Sequence, residues 1–254
     1  MTKRIWNAVF PFLVVGAIWE LIAHYGSFPR RLFPPLETIF LAFVDLTSSG
    51  IIFQHVGQTV MRLMLGSLLA AAVGIAIGLA MGTSRRIEDM LSPLVSIFAP
   101  IPGLAYAPLF MLWFGLGNFS TVVLLGFVSF FPVVLNTWMG VRGVKPLWIR
   151  SARALGANDA VMFRQIIFPS SLPYILTGLR LGVAQGWRIL VAAEMLAAVP
   201  WGLGWLIFGA REFMNTDVML AGITVIGLTG LVIESLLFKQ IEKYTLVRWG
   251  MMSA

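Results

Sequence analysis

The sequence predicts an all-α, polytopic membrane protein with about six transmembrane helices. Of its 254 residues, 59% are hydrophobic and only 11% are charged, whereas a typical soluble domain carries about 25% charged residues. Apolar runs of about 20 residues, the length of a spanning helix, recur along the chain. The polar stretches between these runs are too short for a second globular domain, so we expect a single transmembrane domain over residues 1–254.

Six apolar runs define the expected spans. The first run follows Lys3 and Arg4, and it is long and lacks the cleavage site of a signal peptide, so we interpret it as an uncleaved span. The third run contains Pro100, Pro102 and Pro108, which are expected to break it. The spans are predicted at about residues 5–23, 60–82, 93–114, 119–141, 174–199 and 217–238.

The distribution of basic residues predicts the orientation. Six spans place both termini on one side of the membrane, and cytoplasmic loops are rich in Lys and Arg. The face opposite the termini carries only Arg30, Arg31 and Arg211. The face with the termini carries Lys3, Arg4, Arg85, Arg86, Arg142, Lys145, Arg150, Arg153, Arg164, Lys239, Lys243 and Arg248. We therefore predict cytoplasmic termini, and the net charge of +7 reflects this bias rather than a nucleic-acid partner.

The connection at residues 24–59 is expected to face outward. Its two adjacent prolines precede an apolar stretch from Leu36 to Leu46, which predicts a helix on the membrane surface. Both histidines, His24 and His55, also fall in this connection, so none is predicted within a span for intramembrane serine chemistry.

Aspartyl-protease and metal chemistry are not expected either. An intramembrane aspartyl protease needs two deep aspartates, but the aspartates lie in loops or at a span edge, at Asp45, Asp89, Asp159 and Asp217. The chain has no cysteine and no cluster of histidines and carboxylates with metal-ligand spacing. We therefore predict no catalytic residue and no metal site.

Residues 142–173 form the long cytoplasmic connection. Gly156 can adopt the left-handed conformation that ends a first short helix. Asn158, or the aspartate after it, can cap a second short helix. Pro169 and Pro173 are expected to end that helix before the next span. This arrangement predicts two short helices at the membrane surface that a cytoplasmic partner can grip.

The spacing in this connection resembles the signature of bacterial ABC-importer permeases, which reads Glu-Ala-Ala, three residues, Gly, nine residues, Ile-x-Leu-Pro. The matching positions here are Arg150, Ser151, Ala152, Gly156, Ile166, Phe168 and Pro169. Phe168 is a conservative replacement of the leucine, whereas Arg150 departs from the family's glutamate.

The resemblance extends over nearly the whole chain. The further matching segments are Ile101-Pro102, Ala107-Pro108-Leu109, Trp113-Phe114-Gly115, Thr177-Gly178-Leu179-Arg180, Ala192-Ala193-Glu194 and Gly202-Leu203-Gly204. These segments look like those of the nitrate/sulfonate/taurine-type permeases. Each motif is weak alone, but their order on a six-span frame makes the resemblance specific.

This resemblance implies the type I ABC-importer permease fold in a bacterial inner membrane. It implies a second permease copy, hence a homodimer, two cytoplasmic ABC ATPase subunits and a periplasmic substrate-binding protein. The resemblance leaves the solute open among nitrate, sulfonates, taurine, bicarbonate and vitamin precursors, and Arg188 within the fifth span favours a small anion such as a sulfonate, taurine or nitrate. The chain has no Gly-x4-Gly-Lys-Ser/Thr loop, so ATP-Mg is expected on the partner ATPase and no cofactor on this chain. The implied ATPase-coupling residues are the signature positions together with Arg153.

Arg150 has two interpretations. It can belong to the ordinary cytoplasmic charge bias and contact lipid phosphates. Alternatively, because Arg153 lies three residues further along the same helix, the partner ATPase can offer an acidic rim that compensates both charges.

The second span carries a small residue at every fourth position, at Gly66, Ala70, Gly74, Gly78 and Gly82. At a rise of 1.5 Å per residue this stripe is about 24 Å long. Small residues at this spacing let helix backbones approach closely. The stripe therefore predicts helix packing, with a sliding surface during gating as the alternative.

Several residues are candidates for the transport pathway. Irregular backbone at membrane depth survives where it is buried in protein or lines a cavity, so Pro102 and Pro108 indicate either a pathway-lining bend or a kinked packing helix. Arg188 lies near the middle of the fifth span, with Gln185 and Glu194 on the same helix. A charge at this depth costs about 3 kcal/mol on insertion scales. Arg188 is therefore expected either to line the pathway or to pair with Glu194 of a neighbouring subunit.

A stand-alone secondary transporter or channel remains the alternative function. Such a protein would use an ion gradient and would need no ATPase-docking loop.

Overall fold

The computed structural model describes residues 2–238, and every regular element in this part of the chain is helical. The all-α prediction is therefore confirmed for these residues. Lys239, Lys243 and Arg248, which contribute to the predicted charge bias, lie outside the described residues.

The helices follow one another with short connections. They are α1 (Thr2–Tyr25), α2 (Leu36–Ser48), α3 (Ile51–Thr83), α4 (Arg85–Phe98), α5 (Ala107–Phe114), α6 (Asn118–Arg142), α7 (Pro146–Ala154), α8 (Asp159–Met162), α9 (Phe168–Leu196), α10 (Leu203–Glu212) and α11 (Thr216–Val232). A 3-10 turn at Gly103–Tyr106 precedes α5, and π-helical turns at Phe163–Ile167 and Ile233–Phe238 precede α9 and follow α11.

Within residues 2–238, four helical stretches are long and apolar enough to cross a membrane, and a bent pair of helices adds a fifth. The four are Ile51–Thr83, Asn118–Arg142, Asp159–Leu196 and Thr216–Ser235, and the bent pair is Arg85–Phe98 with Gly103–Phe114. The first predicted span coincides with α1, whose apolar segment Val9–Tyr25 is shorter than the others.

The third predicted span is bent by 95° between α4 and the segment that contains α5. Pro100 and Pro102 lie in the break, as predicted. Pro108 does not break a helix: it occupies the first turn of α5, where a missing N–H leaves no hydrogen bond unmade. Pro93 lies within α4.

The second span begins at Ile51, nine residues before its predicted start near residue 60. The prediction that His55 belongs to the connection before this span is wrong, because the residue lies within the helix. His55 is buried within α3, and its Nδ1 lies 3.0 Å from the backbone nitrogen of Gly202. The backbone N–H of Gly202 donates a hydrogen bond to the imidazole, so the polar ring can be buried within the helix.

Contacts divide the described chain into two compact units, and the prediction of a single domain stays a prediction. The first unit holds residues up to 58 and residues 200–229. Within it, α2 is the helix expected after the two prolines. Its first residue, Leu36, donates its N–H to Oε1 of Glu20 at 2.7 Å, and Trp19 of α1 stacks on Phe33 with ring centroids 4.0 Å apart.

Of the described residues, the second unit holds 59–199 and 230–238, and α6 packs against both α3 and α9. On α3 the predicted stripe of small residues makes this contact: a Cβ at Gly66 would lie 2.1 Å from Leu125, and one at Gly78 would lie 2.5 Å from Thr137. A Cβ at Gly74 would lie 2.8 Å from Val133 and one at Gly82 would lie 2.4 Å from Val141, and Ala70 is buried. The stripe therefore lies where α3 and α6 approach closely.

A second glycine stripe, at Gly178, Gly182 and Gly186 on α9, packs against the other contact surface of α6. Cβ atoms at these positions would lie 2.5–2.9 Å from atoms of α6. Our sequence analysis did not identify this stripe, although its four-residue spacing is visible in the sequence.

Replacing Gly78 with alanine is expected to destabilise the second unit, because the added methyl group must displace Thr137 or separate α3 from α6. Overpacking of this kind costs about 1–3 kcal/mol. Gly57→Ala on the same helix is the matched control, because a Cβ there meets nothing within 4 Å. Thermal unfolding in detergent should show a lower midpoint for Gly78→Ala only, and equal midpoints would refute the packing role.

Candidate functional site

The connection between α6 and α9 folds as a short helix, a break and a second helix, as predicted. Helix α7 ends before Gly156, which adopts φ +82°, a conformation that other residues rarely take. The side chain of Asn158 accepts a hydrogen bond from the N–H of Val161 at 2.9 Å and caps α8. The left-handed Gly156 and the cap at Asn158 together fix the turn between α7 and α8.

The second helix of this connection does not stop at Pro169 or Pro173, so that part of the prediction is wrong. The helical path runs without a gap from Asp159 to Leu196. The π-helical turn at Phe163–Ile167 widens the backbone just before Pro169, which then lies in the first turn of α9. A proline is tolerated there, because its missing N–H falls where the hydrogen-bond pattern already changes.

Helix α7 presents large apolar side chains to its surroundings. Leu155 is 89% exposed, Leu147 is 62% exposed and Trp148 is 47% exposed. The ammonium of Lys145 lies 5.5 Å from the centroid of the Trp148 ring. Exposed apolar side chains that cluster on one short element indicate a protein-binding surface. We call residues 147–156 the α7 surface.

The predicted coupling residues are distributed along this connection. Arg150, Ser151, Arg153 and Gly156 are exposed on the α7 surface, and Ala152 between them is half-buried. Further along the chain, Phe168 is exposed, whereas Ile166 and Pro169 are half-buried. Leu155 and Trp148 were missed in the sequence analysis, since only the structure reveals how far they project.

A groove of about 670 Å³ lies behind α7. Its walls include Ile149 of α7, Met162 of α8, Gly82 at the end of α3 and Val141 near the end of α6. Beside it, Arg142 of α6 forms an ion pair with Glu88 of α4, with Nη2 and Oε2 2.8 Å apart. The α7 surface is therefore supported by residues at the ends of two membrane-length helices.

A buried polar cluster lies at the far end of α9. Arg62 of α3 and Glu194 of α9 are both fully buried, with Nη1 and Oε1 2.6 Å apart. Thr59 donates its hydroxyl to Glu194 at 2.9 Å, and Nε of Arg62 donates to Oδ1 of Asn118 at 2.8 Å. The cluster joins α3, α6 and α9.

This cluster corrects two interpretations. Glu194 does not reach the surface of the chain, so it is not a pathway residue here. Glu194 is paired with Arg62 of its own chain, so it is not the counter-charge from a neighbouring subunit that was considered for Arg188.

Arg188 is exposed on α9, and its Nε donates to the carbonyl of Ala184 at 3.2 Å. Within residues 2–238 the structure gives it no carboxylate partner. Of the other pathway candidates, Gln185 is half-buried, and Pro102 and Pro108 are exposed. In the described part of the chain no three His, Asp or Glu residues come together to form a metal site.

Known proteins resemble this chain over most of its length. The taurine transport system permease protein TauC of Escherichia coli (strain K12) is 34% identical over 239 residues, covering 92% of this chain and 86% of the relative. The putative aliphatic sulfonates transport permease protein SsuC of Bacillus subtilis (strain 168) is 36% identical over 236 residues, covering 93% and 84%.

The fold has a counterpart among solved structures. A chain from inward-facing conformations of the MetNI methionine ABC transporter superposes with a TM-score of 0.60 over 78% of this chain and 98% of that chain, at 15% sequence identity. This likeness confirms the predicted ABC-importer permease fold. The family described as binding-protein-dependent transport system inner membrane component matches residues 70–243. The chain belongs to this family of membrane permeases.

Proposed function

We propose that this chain forms the translocation pathway of an ATP-driven importer for small organic anions of the sulfonate and taurine class. A periplasmic binding protein delivers the solute, and two cytoplasmic ATPase subunits drive the cycle through residues 150–169. The family assignment supports the role of permease. The names of the relatives, which refer to taurine and aliphatic sulfonates, support the class of solute.

The main support for coupling to the ATPase is the exposed apolar α7 surface. Leu155 projects from the end of a short helix whose direction is fixed by the left-handed Gly156 and by the cap at Asn158. A rigid apolar projection of this kind can enter a pocket on a partner and transmit force in both directions. Because α8 continues without a gap into α9, a displacement of the α7 surface reaches a membrane-length helix directly.

The exposure of Arg188 supports the proposal of a transport pathway and of a second copy of the chain. Its guanidinium is exposed near the middle of the predicted span 174–199. A charge in contact with lipid at this depth costs about 3 kcal/mol or more. We infer that a water-filled pathway between two copies of the permease covers this side chain. We also propose that both termini and the α7 surface face the cytoplasm, which the excess of basic residues on that face supports.

Reconstituted transport tests the proposal. Proteoliposomes with the permease, its ATPase and its binding protein should take up radiolabelled taurine or ethanesulfonate when ATP is supplied to the ATPase side. Vesicles that lack the ATPase should show only background uptake. Uptake by the permease alone that collapses with the membrane potential and ignores ATP would favour a secondary transporter and overturn the proposal.

Charge reversal at Arg150 tests whether the partner ATPase offers an acidic rim. Exposed ion pairs contribute about 0.2–1 kcal/mol each, so Arg150→Glu should weaken ATPase binding by about 1.4- to fivefold. High salt should remove the difference, because it screens exposed charges. Arg86→Glu, an exposed arginine on the same predicted face, is the control. If both variants weaken ATPase binding equally, or if neither weakens it, Arg150 belongs to the ordinary cytoplasmic charge bias instead.

A further inference from the structure

A small cleft lies between α9 and the helical segment that follows α11. Its volume is about 180 Å³, equivalent to about six water molecules at about 30 Å³ each. The residues that matter for its chemistry are Ala184, Trp187, Arg188, Gly230, Ile233 and Glu234. Arg188 is the exposed arginine described above.

Among the described residues, the charges around the cleft include one positive charge without a counter-charge. Glu234 accepts hydrogen bonds from Arg180, including one from Nε at 2.9 Å, so this pair is close to neutral. Arg188 has no carboxylate partner within residues 2–238. The cleft therefore matches a ligand that carries a single negative charge.

The remaining walls suit a small organic group. Val183 and Ile233 supply apolar surface, and the indole of Trp187 lies against Gly230. A Cβ at residue 230 would lie 2.9 Å from Nε1 of Trp187, so a larger residue there would displace the indole. The π-helical turn that begins at Ile233 places Glu234 at the cleft, and such turns often occur at functional sites.

We propose that this cleft binds the head group of a small organic monoanion, such as a short-chain sulfonate, as it passes through the membrane. The inference rests on the proposed function and adds the site at which the permease itself selects for charge. Arg188 holds the anionic oxygens, and Trp187 with the aliphatic wall contacts the short carbon chain. The Arg180–Glu234 pair keeps the site at a single net positive charge, so the anion binds weakly enough to leave.

A single cysteine in the cleft tests this directly, because the chain contains no cysteine of its own. The full-length Ala184→Cys protein, purified in maltoside detergent, is treated with an anionic methanethiosulfonate (the ethylsulfonate) and a cationic one (the ethyltrimethylammonium). Both rates are normalised to those with N-acetylcysteine. We expect the anionic reagent to react at least about tenfold faster, which corresponds to about 1.4 kcal/mol.

The charge at residue 188 should control this preference. In the Ala184→Cys background, Arg188→Gln should make the two rates equal and Arg188→Lys should keep the anionic preference. Sodium ethanesulfonate should slow the anionic reaction, whereas ethylammonium chloride should leave it unchanged. Equal rates in the Ala184→Cys protein, no reaction of that protein with either reagent, or an unchanged preference after Arg188→Gln would overturn the proposal.

Lipid is the other source of an anionic head group. Added phosphatidylglycerol should leave protection by ethanesulfonate intact, and loss of that protection would assign the cleft to lipid and overturn the proposal. These measurements require neither ATPase nor ATP. They can therefore fail while reconstituted transport succeeds, or succeed while ATP-driven transport fails, which separates this inference from the proposed function.

Discussion

Replacing Glu194 with alanine is expected to prevent the accumulation of stable protein. Arg62 is fully buried and pairs with Glu194 across the contact between α3 and α9. Its Nη2 is already buried without a hydrogen-bond partner among the described residues, so loss of the carboxylate leaves a buried charge uncompensated. Breaking a buried ion pair by removing one partner costs about 3–5 kcal/mol. The midpoint of thermal unfolding in detergent and the yield of monodisperse protein measure this effect.

The double variant Arg62→Met/Glu194→Met separates the charge from the packing. Replacing a buried pair with apolar residues of similar volume is often neutral or stabilising, so the double variant should recover most of the stability lost in Glu194→Ala. Arg62→Met alone should be nearly as damaging as Glu194→Ala. If Glu194→Ala unfolds at the same temperature as the parent, the cluster does not hold the second unit together.

Replacing Leu155 with aspartate is expected to abolish ATP-driven uptake without affecting the fold. The side chain is 89% exposed, so its removal leaves no cavity within the chain. Residues that dominate protein interfaces contribute about 2 kcal/mol or more, which corresponds to roughly 30-fold weaker binding of the ATPase. Binding of the purified ATPase to the permease in nanodiscs, together with uptake in proteoliposomes, measures the effect.

Leu155→Met is the matched control, because it keeps the apolar volume and should retain binding and uptake. The aspartate variant should also unfold at the same temperature as the parent. Normal uptake by Leu155→Asp would show that the ATPase docks elsewhere. A lower unfolding temperature would show that Leu155 supports the fold instead.

The sequence predicts the all-α fold class, most of the spans and the α3 stripe, because each of these depends on local composition or spacing. An apolar run is visible wherever it lies, and a small residue at every fourth position predicts close packing without knowledge of the partner helix. The short helix before Gly156 and the cap at Asn158 follow for the same reason, since both depend on a few adjacent residues.

Pairs that join distant parts of the chain could not be predicted in this way. Arg62 and Glu194 pair although α4 to α8 lie between α3 and α9 in the chain, and nothing in the sequence indicates that the two residues meet. Burial of His55 depends on the backbone of Gly202, far along the chain. The burial of each of these polar residues therefore follows only once its partner is known.

The continuous helix through Pro169 has a different cause. Proline is an unreliable stop signal where the preceding turn can widen, and the π-helical turn at Phe163–Ile167 does this. Arg188 shows the opposite case: its position in an apolar span was enough to mark it, and the structure adds Trp187, Gly230 and Glu234 around it.

Protection of a cysteine at residue 155 tests most directly whether the α7 surface receives the ATPase. In the naturally cysteine-free chain, Leu155→Cys provides a single reactive thiol, and Phe213→Cys, which is 77% exposed in the parent, provides a control on the predicted opposite face. A membrane-impermeant maleimide should label residue 155 only from the cytoplasmic side, and the bound ATPase should block that labelling. Labelling of residue 213 should be unaffected by the ATPase. Equal labelling of residue 155 with and without bound ATPase would contradict the account.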